Sequence, residues 1–163
     1  MIVRPEQPGD EVAIRAIHLE AFDGSVEARL VDRLRTEEPD RYGPSLVAEE
    51  DGAVVGHVLF TRVDLRGARA NEALSLAPLG VVPGHKRRGV GSALVQEGLR
   101  QADVPVVLVG DPRYYRRFGF EHAARIRSVF DTAGEEWMVW FPPGSDPEAF
   151  VGRVEYPAAF DEV

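Results

Sequence analysis

The sequence contains no cysteine, so disulfides, thiolate metal ligands and a cysteine nucleophile are all excluded. Long apolar runs are missing too, because no stretch approaches the roughly 18 residues that indicate a membrane-spanning helix. The N-terminus does not show the basic and then apolar pattern of a signal peptide. These absences predict a cytoplasmic protein with no membrane partner and no metal site.

Basic residues are outnumbered by acidic ones, with 19 Lys and Arg against 27 Asp and Glu. The formal net charge is −8, and Lys86 is the only lysine in the chain. A protein that binds nucleic acid in general presents a basic face, and the short basic clusters of this sequence do not supply one. We therefore expect no nucleic-acid partner, and the acidic balance favours a cationic substrate.

What is present is the pattern of a single α/β domain that spans residues 1–163. Apolar residues recur at helical spacing over residues 11–22 and again over 25–35, which predicts two consecutive helices. The pair Asp51-Gly52 lies between two apolar segments and predicts a β-hairpin. The apolar run 104–110 is typical of a strand that is buried on both faces.

Other segments complete the predicted sheet. A long strand is predicted over residues 72–82, and Pro78 inside it indicates a bulge or a splayed edge, since proline cannot donate to a sheet ladder. Strand-like segments follow over residues 120–130 and 136–141. The order strand, helix, helix, strands, helix, strand, helix, strand predicts an α/β domain with a mixed central β-sheet flanked by helices.

The most unusual stretch is "GHKRRGVGSALVQEGLR", residues 84–100, where the densest positive charge leads directly into a helical pattern. Three phosphate-binding interpretations compete with a solvated basic turn whose glycines only serve helix packing. A Walker A loop matches the spacing of Gly84 and Gly89, but the required Lys and Ser/Thr do not follow. A dinucleotide motif matches the GxG segment but has Leu94 in place of the third small residue.

The third interpretation is a cradle for a pyrophosphate. A helix N-terminus exposes unpaired N–H groups and about half a positive charge, which together attract anions. Gly89 and Gly91 let a phosphate approach the backbone without a Cβ in the way. Lys86, Arg87 and Arg88 add full positive charges beside it. This combination predicts an anion-binding site.

Within "LAPLGVVPGHKRRGVGSALVQEGL", the segment "KRRGVG" resembles motif A of the GCN5-related N-acetyltransferases (the GNAT family), whose core is Q/R-x-x-G-x-G/A. Lys86 takes the Q/R place, a departure that keeps the charge but loses the planar fork of arginine. The resemblance implies a fold whose fourth and fifth strands splay apart. It also implies acetyl-CoA as co-substrate, with its pyrophosphate at the helix start and its pantetheine arm along the splayed strand. The residues that the resemblance assigns to acetyl-CoA are Leu79, Gly80, Val81, Lys86, Arg87, Arg88, Gly89, Val90, Gly91 and Ser92.

A second segment, "YYRRFGF" at residues 114–120, resembles the family's Y-x-x-x-G-F signature. Tyr115 takes the tyrosine position, which in many members is the general acid that protonates the departing CoA thiolate. The alternative for Tyr115 is a packed aromatic side chain whose hydroxyl is satisfied locally. Tyr114 takes no motif position, and we expect it to contribute little. The segments "AFDGSVEARLVDRLR", "GDPRYYRRFGF" and "VEYPAAF" narrow the resemblance to the YhbS-type predicted acetyltransferases.

Acetyl transfer to an amine also needs a way to remove a proton, because an alkylamine is almost entirely protonated at neutral pH. Many members of the family keep a glutamate on the splayed strand for this step, but "SLAPLGV" at residues 75–81 has no carboxylate. Candidate bases elsewhere are Glu27, His57 and Glu72, each of which has an ordinary structural alternative. We expect Glu27 to contact the substrate, and a backbone N–H near Val81 to stabilise the thioester oxygen.

Two functions from different classes follow from these patterns. The first is an N-acetyltransferase that moves the acetyl group of acetyl-CoA to a primary amine of a small molecule or peptide by direct attack, with Tyr115 as general acid. The second is a non-catalytic acyl-CoA-binding sensor or interaction module on the same fold, which the absent strand carboxylate keeps open. We expect a monomer or a homodimer in either case.

Overall fold

The computed structural model describes residues 1–67, 69 and 72–163. The α-helices in these ranges are α1 (Glu11–Ala21), α2 (Val26–Glu37), α3 (Val90–Gln101) and the single turn α4 (Pro112–Tyr115). The strands are β1 (Ile2–Pro5), β2 (Ser45–Glu50), β3 (Ala53–Arg66), β4 (Glu72–Val81), β5 (Val106–Val109), β6 (Glu121–His122), β7 (Ile126–Arg127), β8 (Trp137–Trp140) and β9 (Gly152–Glu155). None of the described helices is long and apolar enough to cross a membrane.

The described strands form one sheet in the spatial order β1-β2-β3-β4-β5-β8-β6. Along this path the neighbours run antiparallel except for β4 and β5, which are parallel. Strand β9 pairs with the C-terminal end of β3 and with β7. The predicted mixed α/β fold is confirmed.

The parallel pair of β4 and β5 opens early. Only Leu74 and Ser75 of β4 lie opposite β5 residues, and β4 then continues to Val81 along its other neighbour, β3. The β3–β4 ladder contains a bulge, because two steps along β3 correspond to three along β4 around Pro78. The predicted bulge and the predicted splay of the fourth and fifth strands are therefore both present.

Helices cover both faces of the sheet. Helices α1 and α2 pack on one face through Ile14, Leu30 and Leu34, against strand residues that include Val47 and Leu59. Helix α3 packs on the opposite face, and its buried residues share a cluster with the alternate residues of the same strands. The side chains that cluster with α3 are Leu46, Ala48, Val58 and Phe60. This alternation is expected for strands that are buried on both faces.

Helix α3 approaches the sheet very closely. A Cβ on Gly98 would lie 2.1 Å from Cζ of Phe60, so only glycine fits at this position of the helix. At the other end of α3, a Cβ on Gly91 would lie within 4 Å of Leu79 and Val81, so the helix begins beside the part of β4 that has left β5.

Candidate functional site

The loop between β4 and α3 has a backbone that few side chains tolerate. Gly89 is the N-cap of α3 with φ of 83°, and Arg87 has φ of 62°. A positive φ is unusual for a residue other than glycine, and it persists only where the surrounding structure enforces it. Such outliers are concentrated at functional sites, so the loop is a candidate for one.

A cleft of about 470 Å³ lies in front of this end of α3. The loop and the first turn of α3 contribute His85, Lys86, Arg87, Gly89, Val90, Gly91 and Ser92. Strand β4 contributes Leu79 and Val81, the end of α1 contributes Ala21 and Phe22, and the α4 region contributes Tyr114 and Arg117. The helix end, the splayed strand and the Y-x-x-x-G-F segment therefore meet in one cavity.

Four of the predicted site residues do not line this cleft: Gly80 and Arg88 of the acetyl-CoA set, the predicted general acid Tyr115, and Glu27. The guanidinium of Arg88 binds the Glu50 carboxylate at 3.0 Å. The Cα of Gly80 faces α1 rather than the cleft, because a Cβ there would lie 2.7 Å from Nδ1 of His18. The other predicted acetyl-CoA residues line the cavity, and Lys86, Arg87 and Arg117 give it positive charge.

The cleft is narrow in front of Gly91. A Cβ on Gly91 would lie 3.1 Å from the hydroxyl oxygen of Tyr114 and within 4 Å of Leu79 and Val81. The Tyr114 hydroxyl is also 3.3 Å from Oγ of Ser92. Any larger residue at position 91 would fill the space in which a ligand could meet the backbone N–H groups of α3.

Tyr114 was not expected to contribute, yet its side chain lines the cleft. The guanidinium of Arg117 lies 4.6 Å from the centre of its ring and lines the same cavity. Sequence reasoning missed Tyr114 because the family signature marks only the next residue. The T-shaped contact of the two rings, with centroids 4.9 Å apart, sends the two hydroxyls in different directions.

Tyr115 packs over the C-terminal end of β5, just past the point where β4 and β5 have separated. Its ring contacts Gly110, where a Cβ would lie 2.4 Å from Cε2, and it packs edge-on against Phe120. Burial raises the pKa of the Tyr115 hydroxyl. The Tyr115 side chain as a whole is partly buried.

The three candidate bases lie in different places. Glu72 is exposed at the first residue of β4, the end of the strand remote from the cleft. His57 is fully buried under α1, where it contacts His18, a residue that sequence reasoning missed. Glu27 lies in the first turn of α2, and its Oε2 is buried without a hydrogen-bond partner among the described residues.

No three His, Asp or Glu side chains within residues 1–67, 69 and 72–163 converge as a metal site requires.

Comparison with known proteins gives the family. A sequence model of the acetyltransferase (GNAT) family matches residues 12–120, which run from α1 to the end of the Y-x-x-x-G-F segment. The chain is 38% identical to the uncharacterized N-acetyltransferase YjhQ of Escherichia coli strain K12 over 120 residues, which cover 71% of this chain and 66% of YjhQ. It is 39% identical to the uncharacterized N-acetyltransferase YhbS of the same strain over 129 residues, 76% of this chain and 75% of YhbS. The chain thus spans just under two thirds of YjhQ and three quarters of YhbS.

Two solved structures have the same fold. The crystal structure of Escherichia coli YhbS in complex with CoA matches with a TM-score of 0.86 and 34% identity, over 98% of this chain and 91% of that chain. A GNAT family acetyltransferase from Brucella melitensis in complex with acetyl-CoA matches with a TM-score of 0.78 and 34% identity, over 98% of this chain and 97% of that chain. The family match and these relatives agree with the splayed strands and the glycine-rich helix start, and the chain belongs to the GNAT family of acetyltransferases.

Proposed function

We propose that the chain is an acetyl-CoA-dependent N-acetyltransferase whose acceptor is a primary amine of a small molecule or peptide. The observation that carries the proposal is the cleft at the N-terminus of α3, because free N–H groups beside Lys86 and Arg87 suit a pyrophosphate. Family membership supports it, since YhbS was crystallised with CoA and the Brucella protein with acetyl-CoA.

The residues of the cleft fit this co-substrate. The missing side chain at Gly91 leaves room for a phosphate against the backbone of α3, and Tyr114 closes the other side of that space. Beyond Ser75, the edge of β4 that faces β5 makes no strand pairing in the described residues, so its N–H and C=O groups are free for an extended amide chain. In this proposal Leu79 and Val81 hold the pantetheine arm, and Lys86, Arg87 and residues 89–92 hold the pyrophosphate.

The proposed reaction is a direct attack of the amine on the acetyl group. Bound acetyl-CoA supplies an activated thioester. A backbone N–H near Val81 would stabilise the negative charge that develops on the thioester oxygen. Tyr115 would protonate the departing thiolate, and the raised pKa of its hydroxyl keeps that proton in place at neutral pH.

Glu27 is proposed to hold the cationic group of the acceptor. A buried carboxylate oxygen without a hydrogen-bond partner is costly, and an ammonium group would supply the missing partner. Glu27→Gln should therefore raise KM for the amine by about 10-fold, the loss of one charged hydrogen bond, while acetyl-CoA affinity is unchanged. Glu20→Gln, on the exposed surface of α1, is the matched control. An unchanged KM in Glu27→Gln would remove Glu27 from the site.

The proposed activity is tested by CoA release from acetyl-CoA with a panel of primary amines, and with the corresponding alcohols as controls. Release that depends on an amine supports the enzyme. Tight acetyl-CoA binding without release for any amine would instead favour the acyl-CoA sensor, the alternative that the strand without a carboxylate leaves open.

A further inference from the structure

Two histidines lie in the core directly behind the cleft. His18 of α1 and His57 of β3 are both fully buried, and Nε2 of His18 lies 2.7 Å from Nδ1 of His57. Burying polar side chains in an apolar core is costly unless their hydrogen bonds are made. The pair is the first part of a longer hydrogen-bonded chain.

The chain continues from β3 to the surface. Nε2 of His57 lies 2.8 Å from Oγ of Ser45, and the Ser45 hydroxyl contacts the Glu6 carboxylate. Glu6 is held by two further groups, the Tyr42 hydroxyl at 2.6 Å and the Arg35 guanidinium at 2.5 Å. Four residues that are far apart in sequence therefore form one line: His18, His57, Ser45 and Glu6.

The surroundings of Glu6 set the direction of every hydrogen bond in this line. Glu6 forms an ion pair with Arg35 and, as a carboxylate, can only accept. Ser45 must then donate to Glu6 and accept from Nε2–H of His57. This leaves Nδ1 of His57 as the acceptor for Nε2–H of His18. Nδ1 of His18 consequently carries a lone pair, which makes it a base and not a donor.

The inner end of the line lies against the wall of the cleft. Nδ1 of His18 is buried without a hydrogen-bond partner among the described residues, and it lies 2.7 Å from the position of a Cβ on Gly80. Gly80 is the β4 residue between Leu79 and Val81, both of which line the cleft. The ring of Phe22, another lining residue, stacks on His18 with centroids 6.0 Å apart.

The outer end of the line reaches solvent. Glu6, Tyr42 and Ser45 line an open surface groove of about 420 Å³ beside the loop that follows β1. A proton placed on the Glu6 carboxylate can therefore pass to water without crossing the apolar core.

We infer that His18, His57, Ser45 and Glu6 form a proton relay that carries the proton lost by the acceptor amine from the cleft to solvent. The inference rests on the proposed function, and it supplies the base that the β4 strand lacks. Gly80 and Phe22 separate Nδ1 of His18 from the cleft, so the amine nitrogen gives its proton to Nδ1 through a water admitted between them. Nε2–H of His18 moves to Nδ1 of His57, Nε2–H of His57 moves to Ser45, and the Ser45 proton moves to Glu6. Glu6 then releases it to water, so the number of protons is conserved and no charge stays in the core. This leaves both imidazoles with the proton on Nδ1, and the two rings and the Ser45 hydroxyl reorient to restore the starting hydrogen bonds before the next turnover.

The charged groups around the line favour neutral imidazoles. Burial lowers the pKa of His18 to about 4. Burial, the neighbouring His18 and the Arg35 cation lower the pKa of His57 as well, against a smaller opposite effect of Asp10. Tyr42 is a further ionisable group that contacts the line, through Glu6, while Phe22 and Gly80 beside His18 carry no charge. Both imidazoles are therefore neutral at rest, and neither keeps the proton that it transfers.

The direction of the line is tested without any turnover. Long-range proton–nitrogen NMR spectra at neutral pH should show Nδ1 of both His18 and His57 without a proton and Nε2 of both with one. The chain has only four histidines, so the spectra can be assigned by removing His85 and His122 in turn. A proton on Nδ1 of His18 would overturn the relay.

The transport role is tested by interrupting the line at Ser45. Ser45→Ala should lower kcat/KM at pH 7 by roughly 10²-fold and move the rising limb of the pH profile to higher pH, because only amine that is already neutral can then react. Ser45→Thr keeps the hydroxyl and should restore both values. Ser128→Ala, a buried serine remote from the cleft, is the matched control. The acetyl-CoA melting shift should be the same in all variants.

The outcomes separate the relay from the proposed function. Wild-type turnover with an unchanged pH profile in Ser45→Ala, or the same loss in Ser45→Thr, would overturn the relay alone. Wild-type protein that releases no CoA with any amine would overturn the proposed function and with it the relay's role.

Discussion

Gly91 is the residue on which the proposed co-substrate site depends most directly, since a Cβ there meets Tyr114 across the cleft. Gly91→Glu should abolish the rise in melting temperature that acetyl-CoA causes, because a carboxylate would fill the phosphate position and repel the phosphate charge. Gly84→Glu introduces the same charge where no atom lies within 4 Å of the new Cβ, and it should keep the shift. A shift of wild-type size in Gly91→Glu would rule out this site.

The two adjacent tyrosines separate proton donation from binding. If Tyr115 is the general acid, Tyr115→Phe should lower kcat by roughly 10²-fold and leave the acetyl-CoA melting shift unchanged. Tyr114→Phe should give the opposite pattern, because its hydroxyl lines the cleft beside Ser92. In that variant the shift should shrink, and kcat at saturating acetyl-CoA should change much less. The reverse result in steady-state kinetics would assign the acid to Tyr114.

At the scale of secondary structure elements, the distance between α3 and the sheet depends on one glycine. Gly98→Ala should destabilise the fold by about 1–2 kcal/mol, because the new Cβ would overlap the buried Phe60 ring and outweigh the better helix propensity of alanine. Gly84→Ala, where a Cβ meets nothing within 4 Å, is the control for chemical denaturation. Equal midpoints for the two variants would contradict the close packing of α3.

Element boundaries followed the sequence where the signal was local. Asp111 directly precedes α4 in the sequence and caps it, because its carboxylate accepts from the backbone N–H of Arg113 at 2.9 Å. Asp10 occupies the same position before α1, but its carboxylate binds Arg4 and does not cap the helix. The strand predicted over residues 120–130 is reduced to two short strands, β6 and β7. The chain turns between them, where the backbone N–H of Ile126 donates to the carbonyl of Ala123 at 3.1 Å.

The cleft could be predicted only in part, because only residues that are close together in the sequence leave a recognisable pattern. Its loop and helix start lie within a few residues of each other, so glycines and cations at fixed spacing reveal them. The pair of His18 and His57 joins residues that are 39 positions apart, and no periodicity in either segment indicates the contact. The role of Gly80 could not be predicted from the sequence either. Its missing side chain makes room for His18, and only the fold brings these two residues together.

At the scale of the whole molecule, the buried histidine pair makes stability depend on pH. The folded-state pKa of His18 is lowered to about 4 from an ordinary value near 6.5, so the contribution is complete above pH 6.5 and is lost as pH falls toward 4. The melting temperature should fall through this window, and His18→Gln should reduce the slope. His122→Gln, at an exposed position, should not. A melting temperature that stays constant from pH 6.5 to 4 would contradict the burial of neutral imidazoles.

The fate of the acetyl group decides between a transferase and a binding protein. The measurement is carbon NMR of a reaction that contains the protein, a panel of primary amines and acetyl-CoA labelled with ¹³C at the acetyl carbonyl. The label should leave the thioester and appear in the amide of at least one amine, at a rate that falls sharply in Tyr115→Phe. Label that stays in acetyl-CoA, or that is recovered only as acetate with every amine, would contradict N-acetyl transfer by this cleft.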